Sequence, residues 1–190
     1  VQEGICDRFL EKFNTMTLSG KVGNSFDEED TFRGSQVSET LFKHVMEYIG
    51  IGKKEGATCY LGGKRSGTEG YFIEPTIFTD AKPNMRITKE EIFDPVVVIS
   101  KFKVDVDGVV ALANDTSYDL TASVLLPISR VTSMFPMPFY SVFVNWYNVV
   151  TVNSPFGGYK QSGIGRENNE YVFQIYTQVK AVKVNLGNYF

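Results

Sequence analysis

Two stretches of the chain concentrate residue types that do chemistry. The first is Lys89-Glu90-Glu91-Ile92-Phe93-Asp94-Pro95. A carboxylate placed just ahead of an apolar run can accept hydrogen bonds from sugar hydroxyls, as acidic residues do in nucleotide sites. The same spacing suits a purely structural role, with Thr88 as a helix N-cap, Glu91 three residues later, and Pro95 as the stop. From spacing alone the capping box is the favoured reading. The second stretch, 153–167, reads NSPFGGYKQSGIGRE and holds four glycines within nine residues. Glycine permits positive φ and lets backbone approach a ligand or another loop closely. Phe156, between a proline and a glycine pair, suits a pocket wall better than a helix or a central strand. The alternative is an ordinary structured loop leading into a helix capped near Glu167.

Other candidates fail on context. GIGKKEG at 50–56 has two glycines spaced like a dinucleotide fingerprint, but the third is out of place and a helix precedes it. GGKRSG at 62–67 lacks the Ser or Thr that a phosphate loop places after its lysine, and reads as a turn between strands. Asn114-Asp115-Thr116 is a formal glycosylation signal that matters only on secretion. Cys6 lies on a helix among acidic neighbours with no visible base, a poor setting for a nucleophilic thiolate. Cys59, in an apolar segment, reads as a small core residue. His44, mid-helix, reads as a surface or partly packed histidine.

The elements that must position these residues follow from periodicity. Apolar residues at Ile5, Phe9, Leu10, Phe13 and Met16 mark one face of a helix. After a polar loop, Ser38 caps a second helix with Leu41, Phe42, Val45, Met46 and Ile49 turned inward and Gly50 as its end. ATCYL at 57–61 and YFIEPTIF at 71–78 read as extended segments. The run 96–102 reads as a buried parallel strand. Asp105 or Asp107 caps a helix carrying Val109, Val110, Leu112 and Ala113, and a strand follows at 121–126. Strand, helix and strand in that order predict an α/β crossover. A further strand at 141–145, a helix over 167–176 and an alternating strand TQVKAVKVNL complete the reading.

Composition bounds the rest. A net charge of −3 over 190 residues excludes a basic nucleic-acid binder as the leading idea. Fifteen Phe and ten Tyr exclude a disordered chain. No apolar run approaches the roughly 18–20 residues of a membrane helix. Two cysteines and one histidine leave no disulfide framework, no metal centre and no Ser-His-Asp triad. The opening VQEGICDRFLEKF reads like the middle of a longer protein.

Taken together, these segments resemble the aldehyde dehydrogenase superfamily. KEEIFDP resembles the family's KEEIFGP, and SPFGGYKQSGIGRE matches SPFGGxKxSGxGRE. VQEGICDRFLEKF, KVGNSFD, GSQVSETLF, EGATCYLGG, GYFIEPTIF, VNWYNV and EYVFQIYTQVKAVKV add collinear matches across nearly the whole chain. The resemblance implies oxidation of a small aldehyde to a carboxylate with NAD or NADP, through a cysteine thioester. It places the nucleophilic cysteine and the general-base glutamate upstream of Val1, so no catalytic residue falls in this chain and the chain alone is expected to be inactive. It assigns Glu91 to the nicotinamide ribose hydroxyls and Phe93 to packing near the nicotinamide ring. It puts Phe156, Asn148 and Val150 at the substrate tunnel, with Val150 where several members carry phenylalanine, and makes Asn145 structural.

The implied architecture is α/β: a mainly parallel twisted sheet with flanking helices, part of a catalytic domain over 1–175. A C-terminal oligomerisation strand at 176–190 would build a homodimer or homotetramer. No nucleic acid, membrane or metal partner is implied, and the compartment would be cytoplasmic, with mitochondrial as the other option. Departures qualify this. Asp94 replaces the family's glycine and would be strained if that position has positive φ. Leu41 and His44 stand where some members carry adenosine-ribose contacts. Pro127, Pro136 and Pro138 interrupt a family helix over 125–140. These departures keep open an alternative, a non-catalytic structural or binding protein derived from the family.

Overall fold

The computed structural model describes residues 1–24, 26, 30–103, 106–125 and 141–187. The chain divides into two compact units, Val1–Lys103 and Val104–Phe190.

The first unit is built on a three-stranded sheet with helices on both faces. Its elements are α1 (Glu3–Ser19), β1 (Lys21–Val22), β2 (Thr31–Arg33), α2 (Glu39–Glu55), β3 (Thr58–Leu61), β4 (Thr76–Thr79), α3 (Arg86–Lys89) and β5 (Val96–Ile99). The sheet order is β3-β4-β5, with β4 antiparallel to β3 and parallel to β5. Strand side chains alternate between faces, and β4 shows the consequence. Phe78 packs with Val45, Tyr48 and Ile49 of α2 and Ile87 of α3. Its neighbour Ile77 packs on the other face with Cys6, Ile99 and the α1 residues Phe9, Leu10 and Phe13. Both Ile77 and Phe78 are fully buried, so β4, rather than the predicted 96–102 run, is the most buried strand. Three of the four β5 residues are half-buried, because among the described residues β5 has a hydrogen-bonded strand neighbour on one side only.

Two helix readings need correction. The buried stripe of α1 is centred on Cys6, while Ile5 and Met16 at its edges are exposed. The second helix does begin at Ser38, whose Oγ accepts from the Leu41 N–H at 3.2 Å. It runs through Gly50, however, and ends at Glu55 before Gly56 at φ 95°. Gly56 supplies the left-handed turn that closes a helix. Gly52 sits inside the helix because a Cβ there would come within 3.0 Å of the Phe78 and Ile87 side chains. Within the polar loop expected between the first two helices, β1 and β2 form a short parallel pair.

The second unit contains α4 (Val106–Asn114), β6 (Thr121–Val124), β7 (Ser141–Val144), a 3-10 turn at Glu170–Val172 and α5 (Phe173–Tyr176). β6 and β7 pair in parallel from Thr121↔Ser141 to Val124↔Val144. The expected crossover from the 96–102 strand to the 121–126 strand does not form, since β5 and β6 belong to separate sheets among the described residues. The parallel connection instead joins β6 to β7. The proline-interrupted segment between them and Asp105 lie outside the described residues. The helix expected from Glu167 starts three residues later. Asn168 and Asn169 take positive φ, 60° and 55°, and the Asn169 side chain caps Glu170. Residues 177–187 are exposed and form no strand pairing with a described residue of this chain, Thr177 alone donating back to the Phe173 carbonyl at the end of α5. The alternating strand expected there has no strand partner among the described residues.

Candidate functional site

The loop 90–95 is fastened at its start. α3 ends at Lys89, and its Glu90 C-cap donates backbone N–H to the Arg86 carbonyl at 2.8 Å. The Glu90 carboxylate accepts from Arg86 Nε and Nη2 at 3.0 and 2.9 Å and from the Tyr48 hydroxyl. Arg86 also lies over the Tyr48 ring, 5.1 Å from its centre. The Arg86 hydrogen bonds, reinforced by Tyr48, hold the Glu90 carboxyl down at about 2. Tyr48 is pushed up by the carboxylate it donates to and by burial. Sequence reasoning misses this triad; the i,i+4 spacing of Arg86 and Glu90 is the signal that could have found it.

The capping box does not form. Thr88 lies inside α3 and its hydroxyl donates to the Lys82 carbonyl at 3.1 Å. Glu91 is past the helix end and exposed, with no side-chain hydrogen bond or ion pair to a described residue. Phe93 is 74% exposed and takes φ 60°. Asp94 does not take a positive φ, so the condition for strain there is not met; the left-handed residue is Phe93, one position earlier. Asp94 has a different role: its Oδ1 accepts from Gln36 Nε2 at 2.7 Å. Burial pushes the Asp94 carboxyl up to about 6, with Gln36 and His44 acting in the opposite direction. His44 is partly packed, its ring 4.7 Å from that of Tyr48, and Leu41 packs against the core.

In the second unit, a cleft of about 440 Å³ is lined by Phe143, Trp146, Val149, Val150, Pro155 and Phe156, with Ser141, Thr151 and Ser154 as polar groups on its wall. The structure thus brings Val150 and Phe156 together, as their common assignment requires. Asn148 is exposed at φ 52° and does not line the cleft. Asn145 takes φ 59° and donates its backbone N–H to the Val124 carbonyl at 2.8 Å, a structural role.

The glycine-rich loop closes on its own chain. A Cβ at Gly157 would meet the Gly165 carbonyl oxygen at 2.6 Å, and one at Gly158 would meet Ser162 Cβ at 2.5 Å. Arg166 Nη1 donates to the Gly158 carbonyl at 2.8 Å. Gln161 N–H donates to the Ser117 carbonyl at 3.1 Å, and Asp119 N–H to Ser162 Oγ at 2.9 Å. Phe156 and Glu167 exchange backbone hydrogen bonds at 2.8 and 2.7 Å. The glycines serve loop packing, and that packing sets the Phe156 ring in the cleft wall.

The aldehyde dehydrogenase family model matches residues 1–182. An aldehyde dehydrogenase of Aspergillus niger is 47% identical over 99% of this chain, which spans 38% of that protein's length. Human mitochondrial aldehyde dehydrogenase is 45% identical over 98% of this chain, which spans 36% of it. Among solved structures, the NAD+ complex of aldehyde dehydrogenase from Bacillus cereus superposes with a TM-score of 0.91, at 40% identity, over 98% of this chain and 38% of that one. A match that runs through both candidate segments, the cleft residues and the sheet that carries them leaves one assignment: the chain belongs to the aldehyde dehydrogenase family.

Proposed function

We propose that the chain is part of an NAD(P)-dependent aldehyde dehydrogenase that oxidises small aldehydes to carboxylates. The observation that carries this reading is the cleft in which Val150 and Phe156 share a wall with Phe143, Trp146 and Pro155, beside polar groups of Ser141, Thr151 and Ser154, a mixed surface able to take both the hydrocarbon part and the polar end of an aldehyde. Val150 leaves that wall wider than a phenylalanine would.

The residues of the 90–95 loop fit a dinucleotide. Glu91 offers a carboxylate that holds no part of the fold together, able to accept from two vicinal ribose hydroxyls. Phe93 presents an exposed ring able to stack on a flat heteroaromatic. Bound there, the coenzyme would supply hydride acceptance, while these residues orient it. The thiol nucleophile and the general base are assigned to the part of the protein outside these 190 residues. Cys6 is 1% exposed between α1 and the sheet, and Cys59 donates to the Leu61 carbonyl at 3.5 Å, so neither thiol is set to attack a substrate. We place the protein in the cytoplasm, with the mitochondrion as the other option. No helix among the described residues is long and apolar enough to cross a membrane.

The complete protein should reduce NAD or NADP when given propionaldehyde, followed by absorbance of the reduced coenzyme, while the 190-residue chain alone should not. A complete protein that binds neither coenzyme nor aldehyde would favour the non-catalytic alternative, which the half-buried carboxyl of Asp94 in the 90–95 loop supports.

A further inference from the structure

The two ends of the 90–95 loop respond differently to acid. At its start, Glu90 is held ionised by Arg86 throughout the neutral range. At its end, Asp94 Oδ1 accepts from Gln36 while Asp94 Oδ2 is buried and receives no hydrogen bond in the described structure. A cavity of about 250 Å³ opens beside this carboxyl. From β2, Arg33 faces it, although its Nη1 is already committed to the Thr17 and Gly20 carbonyls at 3.0 and 2.9 Å. From α2, His44 acts on it electrostatically. α1 contributes Phe13 and Thr17, β4 contributes Thr76 and β5 contributes Val97, none of which ionises.

A carboxylate with one oxygen undonated is poorly solvated there, whereas a neutral carboxyl is tolerated. Next to it, Phe93 holds a left-handed φ that a residue with a Cβ keeps only when its neighbours enforce it.

We propose that Asp94 is a proton-operated latch on this loop: neutral, it seats beside Gln36 and fixes Phe93 in its strained conformation; ionised, it withdraws toward water and lets Phe93 relax. Because the folded state raises this carboxyl from 3.8 to about 6, the seated form is fully favoured below the lower value and is lost as pH rises through the upper one. If Glu91 and Phe93 contact coenzyme, coenzyme binding loosens over the same interval; that consequence rests on the proposed function, but the latch does not.

Fluorine NMR of the full chain carrying 4-fluorophenylalanine at position 93 tests it, together with the Gln36 side-chain amide signals. Both should titrate with a midpoint at about 6. Asp94→Asn should flatten both, and His44→Gln should leave both in place. Should Asp94→Asn not fold, Gln36→Ala should lower the Phe93 midpoint by about half a pH unit or more, since it removes a contact made only by the seated, neutral form, and a raised midpoint would show that the carboxylate stays beside Gln36 and overturn the latch. A Phe93 signal that stays flat through this interval, one that titrates equally in Asp94→Asn, or one abolished by His44→Gln overturns the latch. A titrating Phe93 signal with pH-independent NAD affinity supports the latch and overturns the assignment of Glu91 and Phe93 to coenzyme.

Discussion

Glu91 and Glu90 are adjacent and chemically identical, yet their surroundings give them opposite roles. Glu90 is consumed by Arg86 and Tyr48 and fixes the loop. Glu91 is left exposed, as the proposed contact with coenzyme requires. Glu91→Gln should therefore weaken NAD binding by the complete protein by roughly 10-fold, the effect of exchanging a charge-assisted hydrogen bond for a neutral one. Its thermal midpoint should be unchanged. A Tm loss comparable with that of Glu90→Gln would show that Glu91 is structural after all. Sequence spacing cannot divide these roles, because a capping box and a ribose contact call for the same residue. The location of the helix end, set by Lys89 and Glu90, removes the capping box and leaves the ribose contact as the proposal to test. Asp94 is equally illegible in sequence. Its replacement of a glycine suggests strain, but the strain sits at Phe93 and the substitution instead introduces a half-buried carboxyl.

At the scale of elements, α2 shows where reading by residue type succeeds and where it stops. Its N-cap at Ser38 is legible because capping is local chemistry. Its end is not, because Gly50 and Gly52 each look like a stop. Side chains on other elements decide the matter: Gly52 exists for the close approach of Phe78 and Ile87, whereas a Cβ at Gly50 would meet nothing within 4 Å. Gly50→Ala should stabilise the helix by about 0.5–1 kcal/mol, by restricting the unfolded chain. Gly52→Ala should destabilise by about 1–3 kcal/mol through overpacking. Urea unfolding of the two variants should move the midpoint in opposite directions. The same logic separates β4 from β5: hydrophobic content marks both, but only a central place in the sheet buries a strand on both faces. The late start of the helix after Glu167 follows from Asn168 and Asn169, which tolerate positive φ better than most residues, although nothing in their spacing sets them apart from ordinary helix positions.

Across the whole molecule, burial is uneven. Both buried apolar clusters among the described residues lie in the first unit. The described part of the second unit exposes Trp146, Tyr147, Phe173 and Tyr176 in addition to the valines of its tail. Surface of this kind calls for covering by more protein, in keeping with a chain that spans 38% of its Aspergillus niger relative. The alternation of 177–187 is legible in sequence, but its pairing is not, since a strand needs a neighbour that this chain does not provide among its described residues. We propose that a second copy provides it. Val182→Lys with Val184→Lys, both on one face of such a strand, should shift the complete protein from dimer or tetramer toward monomer in sedimentation velocity. An unchanged sedimentation profile would remove this strand from the assembly.

The two ends of the first unit lie side by side. Gln2 pairs in parallel with Phe102, the Val1 amino group donates to the Ser100 carbonyl at 2.7 Å, and Phe102 N–H donates to the Val1 carbonyl at 3.0 Å. A segment whose entry and exit adjoin can be spliced into a host, or closed and reopened elsewhere, with little disturbance to its interior. The exposed turn at Gly67, where no neighbouring atom crowds the backbone, is the natural point at which to cut such a rearranged chain.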